Sequence, residues 1–133
     1  MTEALSALAD AARAMVDDPG ALPRATWPRV AALLTRQALE AAVEQHLARV
    51  APGLEGCNRA TQFTCLPWYV DDPATARRAH QTWAALSHAC HHHAYDLAPT
   101  AGELRGWLDD LDRLLADLAR ASSPPHPRPA TPG

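Results

Sequence analysis

Lysine is missing from this chain of 133 residues, and all twelve of its basic residues are arginine. The net charge is −3, and the arginines are scattered apart from the adjacent pair Arg77–Arg78. A basic stripe is the usual electrostatic footprint of a nucleic-acid-binding surface, so the sequence gives no signal for DNA binding. The bias toward arginine and alanine is instead typical of a high-GC bacterial genome of the actinobacterial type.

Long apolar runs and cysteines are also scarce. No stretch of about eighteen apolar residues occurs, which argues against a transmembrane helix. Glu3 and Asp10 lie where a signal peptide requires positive charge and then an apolar core, so we expect a cytoplasmic protein. The three cysteines, Cys57, Cys65 and Cys90, are an odd number without a disulfide pattern, and we expect free thiols.

Alternation of apolar and polar residues with a period of two is absent as well, so the sequence predicts an all-α fold. Apolar residues recur at helical spacing, and the simplest arrangement is an antiparallel four- to five-helix bundle. The length favours a single helical domain over residues 1–121. Residues 122–133 include five prolines and are expected to form a disordered, Pro-rich tail.

Local signals mark where helices begin. Pro28 fits the first turn of a long helix that stops at Pro52–Gly53. Asn58 can cap a short helix, and Asp72–Pro73 starts the next one. Thr100-x-x-Glu103 is a capping box for the last helix.

Helical spacing also predicts which side of each helix faces the core. The stripe of the long helix is Val30, Leu33, Leu34, Ala38, Ala41, Leu47 and Val50. The stripe of the helix after Asp72 is Ala76, Ala79, Trp83, Leu86 and Cys90. Trp68 is expected to fill a gap at the end of the bundle.

Five of the seven histidines fall within residues 80–93. His88 and His92 are four residues apart, so on a helix they share one side and could bind zinc or another divalent metal together. Neighbouring histidines on a helix point about 100° apart and cannot converge on one ion. A third ligand would have to come from elsewhere: His46, His80, Cys57 or an acidic residue. A metal-binding protein or enzyme is therefore one alternative, and otherwise no cofactor is expected.

The stretch Ser87–Tyr95 reads SHACHHHAY, and it follows a helix containing Arg36–Glu40. With the capped final helix, this order of elements resembles HEPN-like domains, small α-helical bundles of bacterial toxins, defence systems and RNA-processing proteins. The family signature is an arginine, a polar residue and, a few positions further on, a histidine that often stands as His-x-Tyr. His93-Ala94-Tyr95 matches that ending, and Ser87 stands in the place of the arginine.

The resemblance implies that Ser87, His93 and Tyr95 are the candidate catalytic residues and that the protein is a homodimer. In active HEPN ribonucleases the arginine and histidine act across a dimer on the ribose 2′-hydroxyl and the phosphate. A serine supplies no permanent positive charge to that phosphate. The resemblance therefore favours a non-catalytic binding or scaffolding domain for a nucleotide, an RNA or a partner protein.

Four further residues are candidates for the binding surface: His80, His91, Arg77 and Arg78. A metal-independent ribonuclease remains a second alternative if its cationic role has moved to Arg77 or Arg78. A purely structural role is also open, in which His91 and His93 bond loop carbonyls and Tyr95 packs under Trp107. Cys90 falls on the apolar stripe, where a cysteine behaves as a small hydrophobe rather than a nucleophile.

Overall fold

The structure, a computed structural model, describes residues 3–91 and 97–121. These ranges contain five α-helices and no strand: α1 (Glu3–Asp17), α2 (Trp27–Val50), α3 (Arg59–Cys65), α4 (Pro73–Cys90) and α5 (Ala101–Ala121). Short 3₁₀ turns lie at Pro19–Ala21, Leu54–Gly56 and Leu66–Tyr69. The predicted all-α helical bundle is confirmed, and the predicted tail lies outside the described residues. No helix in the described part of the chain has the length and apolarity needed to cross a bilayer.

Helix α2 is the centre of the bundle and packs against each of the other four helices. The predicted stripe is wrong in part, because Val30, Leu33 and Leu34 are only half-buried, as are Ala41 and Val50. The fully buried side is dominated by smaller residues: Pro28, Ala31, Ala32, Thr35, Ala38, Leu39, Ala42, Val43, His46 and Leu47. Small side chains let the neighbouring helices approach α2 closely.

The core side of α4 is also shifted slightly from the predicted stripe. Ala76, Ala79 and Leu86 are buried as predicted, but Thr82 is buried while Trp83 is half-buried on the flank. The Thr82 hydroxyl donates a hydrogen bond to Asp110 Oδ2 of α5 at 2.9 Å. A buried hydroxyl needs such a partner, so this bond is what allows a polar residue on the core side.

The predicted caps are confirmed at three helix starts. Asn58 Oδ1 accepts from the Thr61 N–H at 2.9 Å, and Asp72 Oδ1 accepts from the Ala74 N–H at 3.0 Å. At α5 the Glu103 N–H donates to Thr100 Oγ1 and the Thr100 N–H donates to Glu103 Oε1, both at 3.1 Å. These bonds satisfy backbone donors that have no partner within the helix.

We expect Thr100→Ala to lower the free energy of unfolding by about 1 kcal/mol, because alanine lacks the Oγ1 that accepts from the Glu103 N–H and donates to Glu103 Oε1. Chemical denaturation followed by circular dichroism measures this change. Thr64→Ala is the matched control, since the exposed Thr64 hydroxyl bonds only the Ala60 carbonyl within its own helix. An equal loss in both variants would contradict the capping role.

The turn Leu66–Tyr69 differs from the sequence prediction. Residues three apart eclipse in a 3₁₀ helix, so Leu66 and Tyr69 share the inward side. Leu66 is fully buried and Tyr69 half-buried, whereas Trp68 points away with 72% of its surface exposed. The prediction that Trp68 fills a gap in the bundle is therefore wrong.

The loop between α2 and α3 is organised by a buried amide, Gln62. Its Nε2 donates to the carbonyl oxygens of Leu54 (3.2 Å), Glu55 (2.9 Å) and Cys57 (3.1 Å). Its Oε1 accepts from Arg59 Nη1 at 3.0 Å. The side chain has no exposed surface, and it replaces water as the partner of three loop carbonyls.

Candidate arginine cleft

The histidine-rich end of α4 is described as far as His91. Ser87 and Cys90 are half-buried on the helix, and His88 is exposed, as predicted. His91 is the C-cap residue, and its N–H donates to the His88 carbonyl at 3.1 Å. Three residues with predicted roles lie outside the described residues: His92, His93 and Tyr95.

An arginine of α2 holds this end of α4. Arg29 Nη1 donates to the carbonyl of Ala89 at 3.2 Å and to the carbonyl of His91 at 3.1 Å. The last carbonyls of a helix have no partner within it, and they carry the negative end of the helix dipole. A guanidinium at this point satisfies both carbonyls and fixes the end of α4 against α2.

Beside this contact lies a cleft of about 540 Å³, which we call the arginine cleft. The cleft is lined by residues of α2, by the two residues that precede α2, and by the end of α4: Ala25, Thr26, Arg29, Val30, Leu33, Arg36, Cys90 and His91. One wall is apolar, and the guanidinium groups of Arg29 and Arg36, about two helical turns apart, line the other side. The half-buried Val30 and Leu33, predicted as core, form part of this apolar wall.

Arg36 is the residue of the cleft with unused hydrogen-bonding capacity. Its Nε is buried and has no hydrogen-bond partner. The nearest carboxylate oxygen, Glu40 Oε1, is 3.9 Å from it, which is too far for a hydrogen bond. Glu40 also accepts from Trp83 Nε1 at 3.2 Å and lies 3.6 Å from Arg59 Nε. Its negative charge is therefore shared, and the Arg36 charge is only partly balanced.

The thiol of Cys90 faces the same cleft. Burial raises the pKa of Cys90, Arg36 opposes this effect and Glu40 reinforces it. The thiolate is the nucleophilic form of a cysteine, so a raised pKa keeps this group protonated and unreactive at neutral pH. Cys90 therefore lines the cleft as an uncharged thiol, in agreement with its assignment to the apolar stripe.

His80 lies in an aromatic cluster rather than in the cleft. Its ring centroid is 5.8 Å from that of Phe63 and 6.0 Å from that of Trp83, and the Phe63 and Trp83 rings stack at 5.0 Å. These separations are those of favourable aromatic pairs. The observed contacts of His80 are packing contacts between α3 and α4.

Arg77 and Arg78 are remote from His91 at the end of α4. Arg78 precedes His91 by thirteen residues, or about 20 Å along a helix axis. Its Nε donates to Asp110 Oδ1 at 2.9 Å, and it borders a cleft of about 360 Å³ with Asp110, Arg113 and Trp107. The two arginines predicted for the binding surface therefore do not join His91, whereas Arg29 does.

The other metal-ligand candidates do not converge either. His46 is fully buried, and its Nε2–H donates to the Tyr69 carbonyl at 2.7 Å, while Cys57 is exposed on a loop. Within residues 3–91 and 97–121, no group of three or more His, Cys, Asp or Glu side chains is placed to hold a metal ion. The second histidine of the predicted pair, His92, lies outside these ranges.

Sequence reasoning missed Arg29 and Arg36 as site residues. Arg36 drew notice only as an i,i+4 partner of Glu40 and as part of the HEPN resemblance. Seven residues separate the two arginines, so they lie on the same side of α2 two turns apart, and that spacing was a usable signal. This spacing does not show that the end of α4 packs beside the two arginines.

Comparison of the chain with protein-family models, characterised proteins and solved structures finds no match in any of the three. The HEPN resemblance of the Ser87–Tyr95 stretch accordingly stays a prediction.

Proposed function

We propose that this chain is a non-catalytic, HEPN-like binding domain that holds a nucleotide-sized anionic ligand in the arginine cleft. The observation that carries the proposal is the buried Nε of Arg36, which has no hydrogen-bond partner beside a cleft of about 540 Å³. A buried donor without a partner costs about 1–3 kcal/mol. An acceptor oxygen on a ligand would remove that cost.

The chemistry of the cleft favours phosphate. A guanidinium presents its donors in a planar fork that matches two oxygens of a phosphate or carboxylate. The volume is within the usual range for small-molecule sites, roughly 300–1,000 Å³. Val30 and Leu33 supply the apolar wall on which a base could pack. Because the whole chain has a net charge of −3, this attraction is local to the cleft.

Two features support binding rather than turnover. The Cys90 thiol has a raised pKa and is therefore a poor nucleophile. Arg29 is engaged with the carbonyls of Ala89 and His91, so one of the two cations already has a structural task. Both features are consistent with a cytoplasmic protein that binds a nucleotide or an RNA without cleaving it.

The test is a calorimetric titration of the full chain with adenosine monophosphate, with inorganic phosphate and with acetate. We expect binding of the nucleotide, weaker binding of phosphate, and a loss of at least tenfold in nucleotide affinity for Arg36→Ala, about 1.4 kcal/mol. Arg36→Lys keeps the charge without the fork and should recover only part of the affinity.

Arg49→Ala is the matched control, because Arg49 is an exposed arginine in the last turn of the same helix. It should leave the affinity unchanged. Equal losses in Arg36→Ala and Arg49→Ala would show general electrostatic attraction instead of a site. The absence of binding by all three probes would reject the proposal.

A metal-independent ribonuclease is the second candidate, and one observation favours it. Arg29 bonds the carbonyl of His91, which precedes His93 by two residues in the sequence. Arg36 would then be the relocated cation, in place of Arg77 or Arg78. This reading requires a homodimer, as the family resemblance implies, and RNA cleavage that is lost in both Arg36→Ala and His93→Ala. RNA that stays intact when it is incubated with the full chain would count against this candidate.

A further inference from the structure

We propose that the Pro-rich segment 122–133 of this chain docks on the surface formed by Pro67, Trp68 and Val70, which we call the Trp68 surface. Trp68 exposes 72% of its area at the end of the bundle. A tryptophan is the largest apolar side chain, and its burial removes roughly 150–250 Å² from water. Such a residue on the outside of a domain is a docking position for a segment of suitable chemistry.

The position of α5 brings this segment to the same end of the bundle. The end of α4 and the start of α5 lie at the end of the bundle where α1 stops and α2 begins, because Arg29 bonds the Ala89 carbonyl and Arg105 Nη2 is 3.6 Å from Asp17 Oδ1. The last turns of α5 therefore lie at the opposite end of the bundle, with the start of α4 and the turn Leu66–Tyr69 that precedes it. Ala121, where α5 ends, is therefore at the same end of the bundle as the Trp68 surface.

The length of the segment is sufficient for docking. Residues 122–133 read SSPPHPRPATPG, with prolines at 124, 125, 127, 129 and 132. A polyproline II chain advances about 3.1 Å per residue, so twelve residues span about 37 Å. This length exceeds a crossing from the end of α5 to the adjacent turn, and several prolines can lie on the indole ring.

The chemistry of the two partners is complementary. Proline-rich segments bind aromatic surfaces because their backbone is already extended and loses little entropy on docking. The exposed Asp71 and Asp72 border the Trp68 surface, and Arg128 is the one arginine of the segment. Their opposite charges favour docking and help to set its direction.

The experiment uses the full chain labelled with 5-fluorotryptophan, whose four fluorine resonances are assigned with Trp68→Phe and the corresponding single variants. The difference in each chemical shift between H₂O and D₂O measures the exposure of that indole. The comparison chain carries Pro124→Ala, Pro125→Ala, Pro127→Ala and Pro129→Ala together. We expect the Trp68 difference to be at least twofold smaller in the wild type than in this variant. The other three tryptophans should be unchanged.

The matched control replaces the non-proline residues Ser122, Ser123 and Thr131 by alanine, and it should keep the wild-type value at Trp68. Circular dichroism confirms that the helices are intact in each variant. Equal solvent shifts at Trp68 in the wild type and the four-proline variant would overturn the proposal. Protection that disappears on dilution would also overturn it, because the segment would then come from a second copy.

Discussion

Gln62→Glu should destabilise this protein by about 3 kcal/mol at neutral pH, although the two side chains have nearly the same shape. The Nε2 of Gln62 donates to three loop carbonyls, and the side chain has no exposed surface. A carboxylate in that place has no hydrogen to donate. It would put a negative charge against three carbonyl oxygens, and the Leu54 carbonyl would keep only the Cys57 N–H as a partner.

Acid should reverse part of this loss. Protonation gives the introduced carboxyl one hydrogen to donate, so its pKa is higher in the folded than in the unfolded protein. Stability is then highest below the unfolded pKa and falls as the pH rises. Urea denaturation at pH 5 and pH 7.5 measures this difference against the wild type.

The matched control is Gln37→Glu, the same chemical change on the exposed side of α2. It should change stability by less than about 0.5 kcal/mol. If both variants lose the same stability, the effect comes from added negative charge in general. The three carbonyl bonds of Gln62 would then not be what organises the loop.

His46 should make the stability of the protein fall as the pH drops below about 6.5. Burial lowers the pKa of His46 from its ordinary value of 6.5, and the nearby Arg49 adds to this, while the Tyr69 bond and Asp117 oppose it. A base with a lowered folded-state pKa takes up more protons on unfolding, so stability rises with pH. The full contribution is present above pH 6.5 and is lost below it, with a slope approaching about 1.4 kcal/mol per pH unit.

Denaturation curves between pH 5 and pH 8 test this dependence. The lowered pKa of Asp72 acts in a more acidic range, because that contribution is present above pH 3.8 and is lost only below it. His46→Gln should flatten the curve, since an amide can still donate to the Tyr69 carbonyl but does not titrate. A slope that survives in His46→Gln would assign the pH dependence to another group.

Helix starts could be predicted from the sequence because their causes are local. Asn58, Asp72 and the pair Thr100–Glu103 each bond backbone groups within three residues of themselves. These bonds form wherever the helix is placed in the fold. The helical class and the number of helices follow from the same local information.

Burial of polar side chains could not be predicted, because it depends on what another element places opposite them. Gln62 is buried by the loop that it bonds, and His46 by the turn Leu66–Tyr69 and α5. For Trp68 the prediction was wrong in the opposite direction. Its apolar side chain predicted burial, but its position in the 3₁₀ turn directs the side chain outward.

Only part of the arginine cleft could be predicted from the sequence. Cys90 and His91 belong to the histidine-rich stretch, but the arginines that line the cleft with them come from a helix about sixty residues earlier in the chain. The adjacent pair Arg77–Arg78 was the more obvious choice, and it lies at the other end of α4. Pairing across helices requires the packing of α2 on α4, which spacing within one helix does not encode.

The alanine side of α2 has a consequence for mutational tolerance. Ala31, Ala32 and Ala38 have no exposed surface and belong to the hydrophobic core. Adding methylene groups to a close-packed interior costs about 1–3 kcal/mol. The positions of α2 that accept the fewest replacements are therefore among its smallest residues, whereas the larger Val30 and Leu33 border open space and can vary in size.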